Sequence, residues 1–250
     1  MAGHSKWANI KHRKAAQDAK RGNLFQKLVR AVIVAAKEGG GDPGTNMRLK
    51  TAIEKAKAVS VPTDNITRAI KRGTGEIEGA AYEAITYEAY GPCGTALLID
   101  TTTDNRNRTT PEIRALLARN NGSPGEVGSV AWMFERKGII EIKGKVDEDS
   151  LMTCGLDAGM NDMEPSEEGF TLYCDPAALS DLEAVLKQNN YLVESAEIEM
   201  VPKTTIKLDN LESAQKALKL MEILEDHDDV QNVWPNFDIS DEIMEKIENI

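Results

Sequence analysis

The spacing of the apolar residues changes once along this chain of 250 residues, and that change constrains its fold most. Between residues 22 and 73, apolar residues recur at intervals of three and four, as they do on one face of a helix. Beyond about residue 82, runs rich in Val, Ile, Thr and Tyr alternate with helical segments. The pattern therefore predicts an α+β fold in which a helical N-terminal domain precedes sheet-containing domains.

Three short helices are predicted in the N-terminal domain, residues 1–75. The first covers residues 22–38 with one apolar stripe and stops at three consecutive glycines, the second covers 46–58, and the third follows Pro62 with Thr63 as its N-cap. Residues 1–20 show no such spacing and are predicted to form a mobile basic arm. The expected result is a basic three-helix domain carrying an N-terminal arm.

Two α/β sandwich domains are predicted after it. Residues 80–134 contain two strands, a helix opened by a Thr109–Glu112 capping box, and a strand at 127–134. Residues 138–201 follow the order βαββαβ, which is ferredoxin-like. Residues 203–240 add a strand, a helix and a strand, and that helix needs a sheet to cover. Residues 80–134 plus 203–240 are therefore predicted to form one discontinuous domain, into which the ferredoxin-like domain is inserted.

Charge is distributed unevenly along the chain, although its formal net charge is -11. Residues 1–72 hold 16 Lys and Arg against 5 Asp and Glu, whereas residues 131–250 hold 10 against 28. Cations that neutralise phosphates release condensed counterions, so a basic segment favours binding to a polyanion. The acidic remainder would orient the basic domain toward DNA, or toward ribosomal RNA or the ribosome. A solvated basic face without a partner is the alternative.

The candidate nucleic-acid contacts are basic or aromatic residues of the arm, the helices and the loop at 103–109. Trp7 would either stack on a base or anchor the arm to the first helix. The loop would either extend the binding surface through its arginines or form a self-capped turn in which Asp104 pairs with an arginine. The full set is Lys6, Trp7, Lys11, His12, Arg13, Lys14, Lys20, Arg21, Lys27, Arg30, Arg68, Lys71, Arg72, Arg106 and Arg108.

Motifs of catalysis and metal binding are missing from the sequence. Its three histidines and three cysteines show no ligand spacing, and the cysteines are expected to be small buried residues. The glycine-rich run at 39–44 lacks the Lys-Ser/Thr of a phosphate loop, and the acidic run at 225–229 is expected to be a solvated loop. We therefore expect no enzyme activity, no catalytic residue, no metal, no cofactor and no small-molecule substrate.

No apolar run is long enough to cross a membrane, and the N-terminus lacks the apolar core of a secretory signal. The basic N-terminus raises the alternative of a mitochondrial transit peptide, but it has little serine and no clear amphipathic run. We expect a cytoplasmic protein without a membrane partner.

Several long motifs resemble those of the YebC/PmpR family, over essentially the whole chain. They are Met1-Ala2-Gly3-His4-Ser5-Lys6-Trp7, Ile10 to Lys14, Asp18 to Arg21, Gly40 to Pro43, Asp64-Asn65-Ile66, Arg68 to Gly73, Tyr90-Gly91-Pro92, Thr103 to Thr109, and Gly128-Ser129-Val130. The chain departs from the pattern at Val59-Ser60-Val61 and at Thr95, outside the basic surface.

The resemblance implies three domains, the first helical and the other two α/β, and no established catalytic residue. It implies a cytoplasmic DNA-binding transcriptional regulator, as most members are described. A mitochondrial relative is a translational activator, and some members are linked to the ribosome and to relief of stalling. The alternative is therefore a ribosome- or RNA-associated translation factor that uses the same basic surface.

Overall fold

The computed structural model of the protein describes residues 18–166 and 168–248, and it confirms the predicted mixture of helices and antiparallel sheets. The helices are α1 (Asp18–Gly39), α2 (Met47–Ala58), α3 (Thr63–Gly73), α4 (Arg106–Arg119), α5 (Glu148–Asp157), α6 (Leu179–Gln188), α7 (Leu211–Asp226) and α8 (Asp241–Glu248). The strands are β1 (Glu83–Tyr90), β2 (Ala96–Thr103), β3 (Ser123–Pro124), β4 (Phe134–Lys143), β5 (Met160–Pro165), β6 (Gly169–Cys174), β7 (Leu192–Pro202), β8 (Ile206–Leu208), β9 (Val230–Pro235) and β10 (Phe237–Ile239).

The described residues fall into two compact units. Residues 132–205 form one unit, and residues 18–131 together with 206–248 form the other. The predicted ferredoxin-like segment, residues 138–201, lies in the first unit. The three helices and the segments predicted to form the discontinuous domain lie together in the second.

Helices α1, α2 and α3 enclose a small apolar core that includes Leu49, Ile53 and Ile66. Asn46 joins the first two helices at the glycine-rich turn. Its amide donates to the carbonyl oxygens of Ala35 and Gly40, each at 2.8 Å, and its Oδ1 accepts from the N–H of Leu49 at 3.1 Å. One side chain thus satisfies carbonyl groups near the end of α1 and caps the start of α2.

Helix α1 is buried on two faces, although the sequence predicts only one apolar stripe. Val34 lies opposite the face that packs on α2 and α3, and it is only 2% exposed. This second face packs toward strands β2 and β9. Arg30 and Lys27 lie one and two turns before Val34 on the same side of the helix. They therefore face the sheet rather than the open surface expected of them.

The sheet of this unit has the strand order β3-β1-β2-β9, and all its pairings are antiparallel. Strand β9 pairs with β2 from Leu97 opposite Pro235 to Thr101 opposite Val230, and α4 and α7 pack together. Strand β8 was expected to extend the sheet that contains β1, β2 and β9. It pairs instead with β10, in parallel, to form a separate two-stranded sheet.

The strand predicted at residues 127–134 is wrong over most of its length. Only Phe134 belongs to a strand there, because the Glu88 carboxylate holds the preceding loop. It accepts the N–H groups of Gly128, Val130 and Ala131 at 2.5, 2.7 and 2.8 Å, so these donors are not available to a ladder. Burial opposes the charge, but these donors hold the pKa of Glu88 below its usual value.

The unit of residues 132–205 has the predicted ferredoxin-like order of elements. Its strands form an antiparallel sheet in the order β5-β6-β4-β7, and α5 and α6 contact the sheet. The core between them contains Leu151, Leu182 and Leu186 from the helices and Ile140, Ile142 and Leu172 from the strands. The order βαββαβ therefore predicted the fold of this unit correctly.

Three predicted element starts are wrong by one to four residues. Helix α1 begins at Asp18, within the predicted arm, whereas residues 1–17 lie outside the described part of the chain. Pro62 holds the N-cap position of α3 without a side-chain cap, so Thr63 is its first helical residue. Helix α4 begins at Arg106 because Asn105, rather than Thr109, accepts an N–H of its first turn.

Gly73→Ala should destabilise the helical domain. A Cβ at this position would lie 2.4 Å from the carbonyl oxygen of Ile33 and 2.6 Å from the Cβ of Ala36, so α3 could not stay this close to α1. We expect a loss of about 1–3 kcal/mol in the free energy of unfolding, measured by native-state hydrogen exchange of the α1 to α3 amides.

Gly22→Ala is the matched control for Gly73→Ala. Gly22 also lies in a helix, but a Cβ there would meet no atom of the described residues within 4 Å. Alanine should then stabilise the domain by about 0.5–1 kcal/mol through its higher helix propensity. Equal effects of the two substitutions would contradict the proposed close contact between α1 and α3.

Candidate nucleic-acid interface

Most of the predicted contacts of the N-terminal arm lie outside the described residues. Lys6, Trp7, Lys11, His12, Arg13 and Lys14 lie outside the described residues, and Lys20 and Arg21 lie in the first turn of α1. The geometry of the candidate interface therefore comes from α1, α2, α3 and the loop before α4.

Two predicted contacts lie on the outer face of α3. Arg68 and Lys71 are exposed on the side of the helix opposite the buried Ile66 and Ala69. Asp64 shares this stripe at helical spacing, but within the described chain no carboxylate forms an ion pair with Arg68 or Lys71. Lys57, at the end of α2, is also exposed. These side chains are available to a polyanion.

Arg30 and Arg108 are instead joined by one buried carboxylate. Asp229, which precedes β9, has a side chain only 2% exposed. Its Oδ1 lies 2.9 Å from Nη1 of Arg30, and its Oδ2 lies 2.6 Å from Nη2 of Arg108. The buried Thr109 hydroxyl also donates to Oδ2, at 2.6 Å. The charges of two predicted contacts therefore meet a counter-charge inside the unit.

Lys27 and Arg30 also bind the backbone around the end of α7. The Lys27 ammonium donates to the carbonyl oxygen of Glu225, in the last turn of the helix. The Arg30 guanidinium donates to the carbonyl oxygen of Asp228 at 2.8 Å. The last carbonyls of a helix lack partners within the helix and carry partial negative charge, so cations stabilise them. Two positive side chains of α1 thus attach it to the C-terminal end of α7.

The pKa of Asp229 reflects this arrangement. Burial by itself would raise it, but the Thr109 hydroxyl and the Arg108 guanidinium outweigh burial and hold the pKa below its usual value. The hydrogen bond with Asp229 in turn raises the pKa of Arg108. The carboxylate is therefore ionised at neutral pH and pairs with both arginines.

The acidic run at 225–229 is not the solvated loop expected from the sequence. The backbone N–H of Asp229 donates to Nδ1 of His227 at 3.1 Å, and Nε2 of His227 lies 3.1 Å from the Glu112 carboxylate. The carbonyl oxygen of Asp229 accepts from the N–H of Thr102 at 2.7 Å. These bonds fix the turn that presents the buried carboxylate.

Arg72 packs against the linker that follows α3. Its guanidinium lies 5.4 Å from the centre of the Tyr82 ring, and that of Arg30 lies 5.7 Å from the same ring. Lys37 donates to the carbonyl oxygen of Tyr82 at 2.9 Å. A Cβ on Gly79 would lie 2.1 Å from Nε of Arg72, so the linker backbone passes directly over this side chain. Arg72 thus holds the linker and is only partly exposed.

The loop before α4 has features of both predicted alternatives. Arg108 lies 3.3 Å from the Asp104 carboxylate, and Asn105 caps the helix, as in a self-capped turn. Arg106 is exposed, and no described carboxylate forms an ion pair with it. Only one of the two arginines in the loop is therefore available to extend the basic surface.

The three cysteines differ in their exposure to solvent. Cys174 is buried as expected, Cys154 is half-buried, and Cys93 is exposed in a turn with a φ of 61°, contrary to expectation. Among the described residues, no group of His, Cys, Asp or Glu side chains is arranged to hold a metal ion. The helices described here include none with the length and apolarity needed to span a bilayer.

Sequence reasoning missed the role of Asp229 because the carboxylate and its partners are far apart in the chain. Arg30 lies 199 residues away and Arg108 lies 121 residues away. One signal was available: Thr101, Thr102 and Thr103 are consecutive polar residues in a strand with an otherwise apolar start. All three are buried, and buried hydroxyl groups require polar partners.

Two successive segments of the chain match the domain models of one family. Residues 5–76 match the TACO1/YebC protein N-terminal domain, and residues 82–237 match the TACO1/YebC second and third domain. A probable transcriptional regulatory protein from Geobacter sulfurreducens is 52% identical over 99% of this chain and 100% of its own. A protein with the same description from Chlorobaculum tepidum is 53% identical over 99% of each chain.

The fold also matches a solved structure. The crystal structure of a conserved hypothetical protein from Aquifex aeolicus superimposes with a TM-score of 0.85 and shares 44% sequence identity. The match covers 96% of this chain and 99% of the other. A likeness of this extent shows that the two chains share the whole fold.

Asp229→Asn should lower the free energy of unfolding by about 3–5 kcal/mol at pH 7, because it removes the buried negative charge that pairs with two arginines and replaces one acceptor oxygen by an NH2 donor. The folded-state pKa of Asp229 lies below 3.8. The contribution of the ionised Asp229 to the free energy of unfolding is therefore present above pH 3.8 and is lost as the pH falls through the folded-state pKa. The difference between the native protein and the variant should shrink below pH 3.8, as measured by urea unfolding at a series of pH values.

Asp228→Asn supplies the control for this pH series. It removes the same charge from the neighbouring residue, whose side chain is exposed. It should change the free energy of unfolding by less than about 0.5 kcal/mol. A difference for Asp229→Asn that does not shrink in acid would contradict the assigned role of its carboxylate.

Proposed function

The chain belongs to the TACO1/YebC family, which confirms the resemblance found in its sequence, and on this premise we propose that it is a non-enzymatic regulator of gene expression that binds nucleic acid. The full-length relatives named as probable transcriptional regulatory proteins support the regulatory role. We propose DNA as the first target and the cytoplasm as the location, in keeping with that description.

The observation that carries this proposal is the set of exposed cations on α2 and α3. Lys57, Arg68 and Lys71 are exposed, and within the described chain no carboxylate forms an ion pair with any of them. Arg106, in the second part of the same unit, is exposed in the same way. Unpaired cations on rigid helices favour contact with phosphates, because each contact releases counterions.

Phosphate contacts rather than base contacts should dominate the binding. Within residues 18–82 the aromatic residues are Phe25 and Tyr82. Phe25 packs against the helical core, and Tyr82 packs against two arginines. Neither ring is placed to stack on a base. Contacts to phosphates position a protein without reading sequence, so the described surface should bind with low sequence specificity.

An RNA-associated role in translation is the second candidate function. The same observation favours it: a surface that contacts phosphates without reading bases also suits ribosomal RNA. The acidic remainder of the chain would repel either polyanion and direct the basic helices toward it. The two candidates differ in target and share the binding surface.

Arg68→Gln combined with Lys71→Gln should weaken binding to nucleic acid and reduce its dependence on salt. Each lost phosphate contact should lower the slope of log affinity against log salt by about one, and two contacts by about two. The measurement is a salt titration by fluorescence anisotropy, with labelled duplex DNA and labelled single-stranded RNA. Each probe is about 20 nucleotides long, so it offers more phosphates than the few that the protein is expected to contact.

Lys207→Gln combined with Lys219→Gln is the matched control, because both residues are exposed and neither belongs to the helical domain. This variant loses the same charge and should keep the slope of the native protein. Native binding that does not depend on salt would contradict the proposal. Tighter binding to DNA than to RNA would favour the transcriptional candidate, and the reverse, with co-sedimentation with ribosomes, would favour the translational one.

A further inference from the structure

We propose that Asp229 is a positioning residue for nucleic-acid binding: it fixes the helical domain against the sheet so that the cations of α3 and Arg106 act on one polyanion. This inference rests on the proposed function. It assigns a role to a residue that carries the opposite charge from the binding surface and that does not itself contact the ligand.

Asp229 accepts from two separate parts of the unit at once. Its Oδ1 accepts a hydrogen bond from Arg30 of α1, and its Oδ2 accepts hydrogen bonds from Arg108 and Thr109 of α4. The backbone of Asp229 is fixed in turn by Thr102 and His227. A carboxylate held in this way joins the helical domain to the helix whose first residue is Arg106.

The contacts of Asp229, Lys27 and Val34 between α1 and the rest of the unit are here called the joint. We infer that the joint stays closed and is not a switch that nucleic acid would open. Val34 is buried where α1 faces the sheet, and Lys27 binds the end of α7 beside the ion pairs. The Arg30 side chain is only 17% exposed. Separating these surfaces would expose apolar area and leave buried charges unpaired, both of which are unfavourable.

The groove beside the joint does not itself suit a phosphate. It has a volume of about 800 Å³, and it contains arginines at 30, 108 and 119. Its lining also includes the carboxylates of Glu112, Asp226, Asp228 and Asp229. These four carboxylates outnumber the three arginines, so a phosphate entering the groove would meet net repulsion. Arg30 and Arg108 therefore contribute to binding through the position of the domain rather than through direct contact.

The test is a double-mutant cycle between Asp229→Asn and Arg106→Gln, with affinity measured on the same labelled DNA and RNA. In the native protein, Arg106→Gln should weaken binding about twofold to fivefold, the range of an exposed ionic contact. Asp229→Asn should weaken binding by about fivefold or more, the usual size of coupling through domain position. In the Asp229→Asn background, Arg106→Gln should have no further effect.

Asp228→Asn is again the matched control, since it makes the same change in net charge one residue away. It should bind at least as tightly as the native protein and keep the full effect of Arg106→Gln. A merely structural role for Asp229 would leave the effects of Asp229→Asn and Arg106→Gln additive, and that result would overturn the inference. Tighter binding by Asp229→Asn than by Asp228→Asn would also overturn it, because it would reveal an inhibitory latch.

Hydrogen exchange separates this inference from the proposed function and needs no nucleic acid. Asp229→Asn and the milder Arg30→Gln should both accelerate exchange in peptides covering α1 and residues 227–235, while α2 and α3 stay protected. If the native protein bound no nucleic acid, the proposed function would fail and the inference with it, yet this exchange would still establish the joint. If native binding depended on salt but exchange were unchanged in both variants, only the inference would fail.

Discussion

One buried carboxylate organises the larger unit of this protein. Asp229 accepts hydrogen bonds from Arg30 of α1 and from Arg108 of α4, and neither contact could move without separating an arginine from this buried counter-charge. A buried ion pair is not strongly stabilising by itself, since desolvation of the charges opposes their attraction. Its effect is on position, because Arg30 of α1 and Arg108 of α4 must both reach the same carboxylate.

The same contacts explain why a basic segment has fewer available cations than its composition indicates. Residues 1–72 contain 16 Lys and Arg, but α1 uses Lys27, Arg30 and Lys37 to hold the end of α7, Asp229 and the linker. The binding surface proposed from the described residues is correspondingly narrow and depends on α2, α3 and Arg106. The Lys and Arg residues of this segment look alike in the sequence, but some of them hold the domain together and others face solvent.

Local patterns predicted most of the elements, and long-range contacts account for the errors. The ferredoxin-like unit was predictable because the order βαββαβ can be read from the local spacing of its strands and helices. The strand expected at 127–134 failed because Glu88, some forty residues earlier, takes the N–H groups that pairing would need. The second buried face of α1 rests on Val34, and a single valine is too little to reveal a second stripe in the sequence.

The pairing of β2 with β9 has a consequence for the order in which the protein is made. Residues 132–205 must be synthesised after β2 and before β9 can reach it. Until then the edge of β2 and the outer face of α1 lack their cover, and Arg30 and Arg108 lack their acidic partner. Contacts between distant parts of a chain form late and slowly. A nascent chain emerging from the ribosome thus carries an open edge of β2 and two arginines without their buried counter-charge until Asp229 and β9 have been made.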